Sequence, residues 1–371
     1  MTGMKGRAKP KKLGSGGKAG IGTDVTQENV ESLQEENAKP ETAGVLGCRR
    51  IWLRMPNWLG DVVMALPLVR ALRAANPEAE MVLLAQRGFV PLLERLAVAE
   101  QVVTIPPRGR GYWSFFRRLK KQQPEEYILF TNSLRGDLEA WLAGGKRRHG
   151  ILRKGKWRPL VSRGWRLPKD LDERAVHQTR LWERWWREAG LLPEGELDLR
   201  PLVWAEEKSA KESGAPVVGM ICGSENSPEK RWPVAHWQQL IGLLAATGKI
   251  LLFGTAKDRE ITEAIVSGLS EQRKSQVENW AGRTDLLQLC AALAECDHVV
   301  CNDTGGLHLA NMLGVPVTGV FGPTNPVRTG PIFAAPMHVL QPEGCPKAGG
   351  GNIADVAPET VAAVLRVEGG L

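Results

Sequence analysis

The residues best placed to bind an anion surround the sequence NDTGGLH, where an apolar stretch predicted as a strand gives way to a predicted helix. Thr304 and Gly305 fall at the start of that helix, where free backbone N–H groups and the helix dipole favour an anion. Asp303 would order the turn or accept from a sugar hydroxyl or an ammonium group, and His308 lies one turn further on. The alternative is ordinary helix capping by Asn302, Asp303 and Thr304, with His308 a satisfied, partly buried histidine.

A second polar loop, CGSENSPEKRWP, also lies between a predicted strand and a predicted helix. Its Lys230 is a flexible cation of the kind that binds phosphate. The loop also offers hydrogen-bonding side chains, namely Ser224, Glu225, Asn226 and Ser227. Because both loops follow strands, we expect them to open on one crevice at the carboxyl ends of a parallel sheet. The alternative is a polar loop with one exposed lysine.

The third stretch, MPNWLGDVV, belongs to the first half of the chain. Gly60 permits a tight turn, and Asp61 stands at the start of a predicted helix. A helix N-terminus keeps a carboxylate ionised at neutral pH, so Asp61 could accept a proton from a hydroxyl as a general base. The alternative is that Asp61 only caps its helix.

Motifs that bind cofactors or metals are missing from the sequence. It contains no GxGxxG dinucleotide fingerprint, no GxxxxGK[ST] phosphate loop and no HExxH. Its 6 cysteines show no CxxC spacing, and without an export signal they are interpreted as reduced, mostly buried thiols. We therefore expect no cofactor and no metal. No apolar run is long enough to predict a transmembrane helix.

The elements that must position these residues alternate between strands and helices. In the first half, strands are predicted at 50–55, 80–86, 101–105 and 127–133, and helices at 62–75, 89–96, 134–143 and 174–189. In the second half, strands are predicted at 216–222, 249–254, 298–301 and 315–322, and helices at 233–247, 258–269, 285–294, 307–313 and 358–367. Such alternation predicts an α/β fold of two doubly wound, Rossmann-like domains that face each other across a cleft.

Composition divides the 371 residues further. A basic block followed by an acidic block, with few apolar residues, predicts a disordered tail over 1–47. We predict an N-terminal α/β domain over 48–200, a linker over 201–215, a C-terminal α/β domain over 216–345, and a C-terminal loop and helix over 346–371.

Positive charge is concentrated in one segment. The net charge is +8, yet residues 146–187 alone carry fourteen Lys or Arg against four Asp or Glu, together with five of the 13 tryptophans. One interpretation is a solvated basic face whose side-chain stems pack on aromatic rings. The other is a surface that binds nucleic acid, a lipid headgroup or an acidic glycan.

The three motifs NWLGDVVMALPLVRAL, GSENSPEKRWP and NDTGGLHLANMLGVPVTGVFGPTNP, in this order, resemble those of the ADP-heptose:lipopolysaccharide heptosyltransferases. The resemblance covers most of residues 49–330. It implies a two-domain glycosyltransferase of the GT-B type. In that family the C-terminal half binds the ADP-sugar, and the N-terminal half receives the growing core oligosaccharide.

The resemblance also assigns roles to particular residues. It places the catalytic aspartate at Asp61 and the diphosphate-binding lysine at Lys230. Other predicted donor contacts are Ser224, Glu225, Asp303, Thr304, Gly305 and His308, with Asp258 or Glu260 as the ribose contact. Asn132 and Arg135 are predicted contacts of the acceptor.

The activity implied is an inverting transfer of heptose from ADP-heptose to the inner core of lipopolysaccharide, without a metal. The acceptor would be anionic and lipid-linked, which gives the basic segment a partner and predicts a cytoplasmic protein peripheral to the inner membrane. Two alternatives stay open. One is a GT-B enzyme with another nucleotide-sugar donor, and the other is a non-catalytic basic module whose tryptophans stack on nucleic-acid bases.

Overall fold

The computed structural model describes residues 44–369 except positions 203, 205–213, 215, 226 and 245–247. Most of the predicted tail and linker therefore lies outside the described residues, as do Asn226 and the end of the helix predicted at 233–247. Residues 44–47, assigned to the tail from sequence, are tied to the following chain. The N–H of Val45 donates to the carbonyl of Ala75 (3.1 Å), and the N–H of Leu46 donates to Oδ1 of Asn76 (3.0 Å).

The first half of the chain builds one six-stranded parallel sheet. Its strands are β1 (Arg50–Arg54), β2 (Glu80–Gln86), β3 (Gln101–Ile105), β4 (Glu126–Leu129), β5 (Arg147–Leu152) and β6 (Arg163–Arg166). Its helices are α1 (Leu59–Ala75), α2 (Val90–Arg95), α3 (Tyr112–Leu119), α4 (Leu134–Leu142) and α5 (Gln178–Glu188). The strand order is β3-β2-β1-β4-β5-β6, and every neighbouring pair is parallel. The central strand β1 is buried on both faces from Ile51 onwards, as a parallel strand between helix layers must be.

The second half repeats this arrangement. Its strands are β7 (Val217–Ile221), β8 (Lys249–Phe253), β9 (Val277–Asn279), β10 (His298–Asn302), β11 (Val317–Val320) and β12 (Met337–Leu340). Its helices are α6 (Val234–Leu243), α7 (Arg259–Ser267), α8 (Glu271–Lys274), α9 (Leu286–Ala294), α10 (Gly305–Met312), α11 (Pro326–Thr329) and α12 (Pro358–Gly369). The order β12-β11-β10-β7-β8-β9 is again parallel throughout.

Both sheets have the same internal order. Counted within its own half, each sheet runs third, second, first, fourth, fifth, sixth strand, which is the doubly wound arrangement. The winding reverses between the first and fourth strands, so a crevice opens beyond their carboxyl ends. The loops after β1, β4, β7 and β10 therefore lie at these crevices. The predicted fold class of two doubly wound sheets is confirmed.

One apolar core joins the two halves. Helix α1 is buried almost continuously from Val62 to Val69, because it packs against both α5 and α10. Its apolar side chains share a cluster with Leu307 and Ala310 of α10. This seam sets the spacing between the loop after β1 and the loop after β10.

The basic segment 146–187 is more ordered than its composition suggests. It contributes the strands β5 and β6 and most of α5, and no strand was predicted there because arginine and glycine interrupt the apolar pattern of both strands. Trp165, Trp182, Trp185 and Trp186 are buried in the core, whereas Trp157 is 75% exposed. Four of the five tryptophans therefore cannot stack on nucleic-acid bases.

Two predicted boundaries are wrong at the site. The strand predicted over 127–133 ends at Leu129, and Ser133 instead caps α4 by accepting a hydrogen bond from the N–H of Gly136 (3.2 Å). The helix predicted from Leu307 already begins at Gly305. The first change lengthens the polar loop after β4, and the second leaves only Asp303 and Thr304 between β10 and α10.

Candidate active site

The first turns of α1 and α10 touch each other. A Cβ added to Gly60 would lie 2.8 Å from Cδ2 of His308, and a Cβ added to Gly305 would lie 3.2 Å from the backbone nitrogen of Gly60. Only glycine fits at these two positions, because any side chain would collide with the opposing helix. Two helix N-termini, one from each half, thus meet at the crevice and direct two positive dipole ends towards it.

Asp61 follows Gly60 and lines a cavity of about 360 Å³ at this meeting point. Burial raises the pKa of the Asp61 carboxyl above its ordinary value, the charge of Arg328 lowers it, Asp303 raises it and Lys230 lowers it. The sequence predicted only the acidifying effect of the helix start, and burial acts in the opposite direction. A carboxylate with a raised pKa is the stronger base, which suits proton abstraction from a hydroxyl.

Lys230 and Asp303 join the two loops of the second half. Nζ of Lys230 donates to Oδ2 of Asp303 at 2.9 Å. Asp303 therefore accepts from an ammonium group, which was one of its two predicted hydrogen-bond partners. Buried Asn302 holds the same loops together, since its Nδ2 donates to the carbonyl of Cys222 (2.8 Å) and its Oδ1 accepts from the N–H of Trp232 (3.3 Å). Asn302 is therefore a positioning residue and not a helix cap.

The start of α10 is not capped by the hydroxyl of Thr304. That hydroxyl pairs with Sγ of Cys301 at 3.3 Å, and the side chain of Thr304 makes no capping hydrogen bond to the helix. The ordinary-capping alternative therefore fails here for Asn302 and Thr304, and the first turn keeps backbone N–H groups for an anion.

His308 is almost completely buried one turn into α10. Burial lowers its pKa to about 4, although the Asp303 charge opposes this. His308 is therefore neutral near pH 7 and cannot add positive charge to a phosphate site. Its contact with Gly60 makes it a spacer between the two helix starts.

The other residues predicted to contact the sugar donor differ in their exposure and in their partners within the protein. Ser224 is buried, and its carbonyl accepts from the guanidinium of Arg231 (2.8 Å), which stiffens the loop. Glu225 is exposed and paired with Lys257 at 2.8 Å. Both residues follow β7 and stand beside Lys230.

Of the two predicted ribose contacts, Asp258 is buried and Glu260 is exposed. Oδ2 of Asp258 accepts from the N–H and the hydroxyl of Thr255, each at 2.8 Å, and a Cβ on Gly223 would collide with its Oδ1. Oδ2 of Asp258 is therefore occupied in shaping the loop after β8, whereas its buried Oδ1 has no hydrogen-bond partner among the described residues. Glu260 in the first turn of α7 is the carboxylate of the two that faces solvent.

The predicted acceptor contacts are separated by the structure. Asn132 lines the cavity beside Asp61, and its Oδ1 accepts from the buried guanidinium of Arg158 at 3.0 Å. That guanidinium also forms an ion pair with buried Asp137, so one arginine of the basic segment is structural. Arg135 is exposed on α4 and is not part of the cavity lining.

Three cations at the cavity were missed by sequence reasoning. Arg153, Lys156 and Arg328 line it together with Asp61. Arg328 comes from α11 yet donates to the carbonyl of Glu173 (2.6 Å) and to Oε1 of Gln178 (2.8 Å), so it bridges the two halves. The motif GPTNP, which ends two residues before Arg328 in the chain, was the signal that could have located it.

In the part of the chain that the structure describes, no group of three His, Cys, Asp or Glu side chains could hold a metal ion. Over the same residues, no helix is both long and apolar enough to cross a membrane.

Two parallel sheets of this order, with a partly buried carboxylate on one wall of the crevice and a lysine beside a helix start on the other, are typical of glycosyltransferases of the GT-B architecture. The sequence profile of glycosyltransferase family 9 (heptosyltransferase) matches residues 112–350. The chain belongs to this family, and it is a glycosyltransferase.

Individual relatives agree with the family assignment. The chain is 30% identical over 305 residues to lipopolysaccharide heptosyltransferase 2 of Escherichia coli K12, covering 75% of this chain and 84% of that protein. It is 29% identical over 300 residues to lipooligosaccharide heptosyltransferase 2 of Haemophilus influenzae, with the same coverage of 75% and 84%. The solved structure of E. coli ADP-heptose LPS heptosyltransferase II superposes with a TM-score of 0.69 at 26% identity, covering 86% of this chain and 98% of that one.

Proposed function

We propose that this protein transfers a heptosyl residue from ADP-heptose to the inner core of lipopolysaccharide, as the names of its type 2 relatives indicate for those proteins. The observation that carries the proposal is the contact between α1 and α10. It brings the partly buried Asp61 of the first half within electrostatic reach of Lys230 and Asp303 of the second half. We also propose that residues 48–200 receive the acceptor and residues 216–345 bind the donor.

Asp61 acts as the general base in this proposal. It takes the proton of an acceptor hydroxyl while that oxygen forms a bond to the anomeric carbon of the donor. The bond from the anomeric carbon to the phosphate oxygen breaks on the opposite side, so the configuration inverts and ADP leaves with the bonding electrons. The raised pKa of Asp61 favours this proton transfer.

The leaving diphosphate needs positive charge, and the second half supplies it. Lys230 and the N–H groups at the start of α10 are fixed before the reaction, so they stabilise the developing charge without reorganising. Asp303 holds Lys230 in place and, with its second oxygen, is available to a sugar hydroxyl. Ser224 and Glu225 complete the donor loop, and Glu260 is the better candidate of the two for the ribose.

The cations of the cavity suit an anionic acceptor. Arg153, Lys156 and Arg328 surround the entrance to Asp61, where carboxylates or phosphates of a lipopolysaccharide core would lie. Because His308 is neutral, the positive groups that contact the diphosphate are Lys230 and the backbone N–H groups. The cations proposed for the acceptor are therefore separate from those proposed for the sugar donor. Because such an acceptor is lipid-linked, we propose a cytoplasmic protein that works at the inner face of the inner membrane.

The experiment that tests the function measures heptose transfer from ADP-heptose by Asp61→Ala and Lys230→Ala. We expect Asp61→Ala to lower kcat by about 10²- to 10⁴-fold, the usual contribution of a general base, with donor affinity nearly unchanged. Lys230→Ala should weaken donor binding as well. Lys249→Ala is the matched control, because Lys249 pairs with Glu278 far from the crevice. If both Asp61→Ala and Lys230→Ala transfer heptose at near the normal rate, the roles are wrong.

The choice of donor is tested by calorimetry with ADP-heptose, UDP-sugars and GDP-sugars. Tighter binding of a UDP- or GDP-sugar than of ADP-heptose would favour the first alternative, a different donor. Salt-dependent binding to nucleic acid with no nucleotide-sugar binding would favour the second. The burial of four tryptophans of the basic segment already weighs against that second alternative.

A further inference from the structure

Two neighbouring helices of the first half expose large apolar side chains where a surface helix normally has polar ones. On α4, Trp141 is 52% exposed and Leu134 is 51% exposed, and on α3, Trp113 is 37% exposed. The helices pack side by side, and Lys120 lies against Gly144. We name the outer surface formed by Trp113, Arg117, Lys120, Leu134 and Trp141 the α3–α4 face.

The inner sides of these helices are fully used by the fold. In α3, Tyr112, Phe116 and Leu119 are buried at helical spacing against the sheet. The outer stripe is displaced by one residue and consists of Trp113, Arg117 and Lys120, which are all exposed. Trp113 therefore lies outside the buried stripe, and its ring contacts the core edge-on at Tyr112, with the ring centroids 5.0 Å apart.

The charge of the α3–α4 face has one sign. Residues 107–123 hold six Lys or Arg and no Asp or Glu. Within the described residues, Arg117, Lys120 and Lys121 form no salt bridge with a carboxylate. A groove between the helices is lined by Arg117, Lys120, Trp141 and the partly buried Arg148. Cations without counter-charges, set among exposed tryptophans, match an anionic surface that has an apolar layer beneath it.

The face adjoins the entrance to the active site. Ser133 lines the cavity that holds Asp61, and the next residue, Leu134, already belongs to the α3–α4 face. Helix α4 then leads away from the cavity to Trp141, about 10 Å along its axis at 1.5 Å per residue. A bilayer against this face would lie beside the acceptor side of the crevice.

We propose that the α3–α4 face docks the protein on an anionic phospholipid bilayer. Trp113, Leu134 and Trp141 enter the headgroup region, where tryptophan is favoured, and Arg117 and Lys120 contact lipid phosphates. The inference rests on the proposed function in one respect, namely that a lipid-linked acceptor gives docking a purpose. Nucleic acid is the other polyanion, but it would offer no apolar layer for Leu134.

The test is flotation of the full-length protein with vesicles of phosphatidylethanolamine and phosphatidylglycerol, without donor or acceptor. For Trp113→Ser/Trp141→Ser we expect at least about tenfold weaker binding, because two interfacial anchors are lost. For Arg117→Glu/Lys120→Glu we expect a loss of about fivefold or more for each basic residue changed. The controls are Trp157→Ser, which removes the most exposed tryptophan of the chain, and Lys249→Glu/Lys274→Glu, which makes the same change in net charge elsewhere.

A second measurement identifies what the tryptophans meet. Vesicles with brominated acyl chains should quench part of the tryptophan fluorescence, and that part should disappear in Trp113→Ser/Trp141→Ser but not in Trp157→Ser. Equal binding of all variants, or equal binding to vesicles of phosphatidylcholine alone, overturns the proposal. So does an RNA oligonucleotide that binds through the same residues more tightly than the vesicles do.

Failure of docking and failure of the function can be told apart. Variants of the α3–α4 face should transfer heptose to a detergent-dispersed acceptor at the normal rate, because none of the changed residues lines the cavity. Vesicle binding that depends on this face, in a protein that does not use ADP-heptose, would leave the docking surface standing and remove the proposed function. Normal heptose transfer with vesicle binding unaffected by the substitutions would leave the proposed function standing and remove the docking surface.

Discussion

Gly60→Ala should damage the active site although it adds one methyl group inside a helix. Alanine is favoured over glycine in a helix by at most about 1 kcal/mol, and Gly60 lies in the first turn of α1. Here the new Cβ would lie 2.8 Å from Cδ2 and 3.2 Å from Nε2 of His308. His308 is buried and cannot rotate into solvent, so relief must come from separation of α1 and α10.

The size of the effect follows from these distances. Ordinary van der Waals contact begins at about 3.4 Å, so the helix starts must part by about half an ångström to one ångström. Overpacking of this kind costs about 1–3 kcal/mol, which exceeds the gain in helix propensity. Because Asp61 is the next residue, its carboxylate moves away from the donor side. A misplacement near 1 Å can cost about a hundredfold in rate, so we expect kcat to fall by about 10- to 100-fold.

The assay is steady-state heptose transfer together with thermal unfolding. Gly242→Ala is the matched control, because Gly242 lies inside α6 and a Cβ there meets no atom within 4 Å. The control should be slightly stabilised and fully active. The double variant Gly60→Ala/His308→Ala should recover part of the lost stability, which measures the coupling between the two positions. If Gly60→Ala behaves like Gly242→Ala in both assays, the two helix starts do not fix the position of Asp61.

Two further predictions concern pH. Arg328→Gln should move the acidic limb of the kcat/KM profile to higher pH, because the charge of Arg328 lowers the pKa of Asp61 and catalysis needs the ionised carboxylate. The control is Arg366→Gln. An acidic limb that stays in place, or that moves equally in the control, contradicts the influence of Arg328 on Asp61. His308 should destabilise the fold in acid, because its pKa falls from 6.5 to about 4 on folding. Above pH 6.5 the neutral His308 does not lower the free energy of unfolding. As the pH falls towards 4 the free energy of unfolding decreases, by about 3 kcal/mol at pH 4. Denaturant unfolding of His308→Gln should show a correspondingly smaller loss between pH 7 and pH 4, and an unchanged loss would show that His308 is not buried neutral.

The positions of the site loops could be predicted from sequence because ligand-binding loops follow the carboxyl ends of parallel strands. Each strand that precedes a site loop is an apolar run followed by small and polar residues, and those runs proved to be the first and fourth strands of each sheet. Asp61, Asn132, Lys230 and Asp303 lie on the loops, or at the helix starts, that follow these four strands. Their grouping at one crevice therefore follows from local patterns and the winding rule.

What could not be predicted depends on contacts distant in the chain. Asn302 pairs with Cys222, eighty residues earlier, and Arg328 pairs with Gln178, 150 residues earlier. Nothing in the sequence around Asn302 or Arg328 identifies Cys222 or Gln178 as its partner. The burial of the tryptophans in α5 was ambiguous for the same reason, since that helix is amphipathic and its apolar face became core only because α1 packs on it. The raised pKa of Asp61 likewise reflects surrounding atoms that no pattern around residue 61 reveals.

The shared strand order has a consequence for how such an enzyme can diversify. The proposed reacting groups follow the two middle strands of each sheet. The segment after β3, which leads into α3, follows an edge strand, and none of its residues lines the cavity beside Asp61. Selection can therefore change the α3–α4 face, by insertion or by altering its charge, without disturbing the geometry of the crevice.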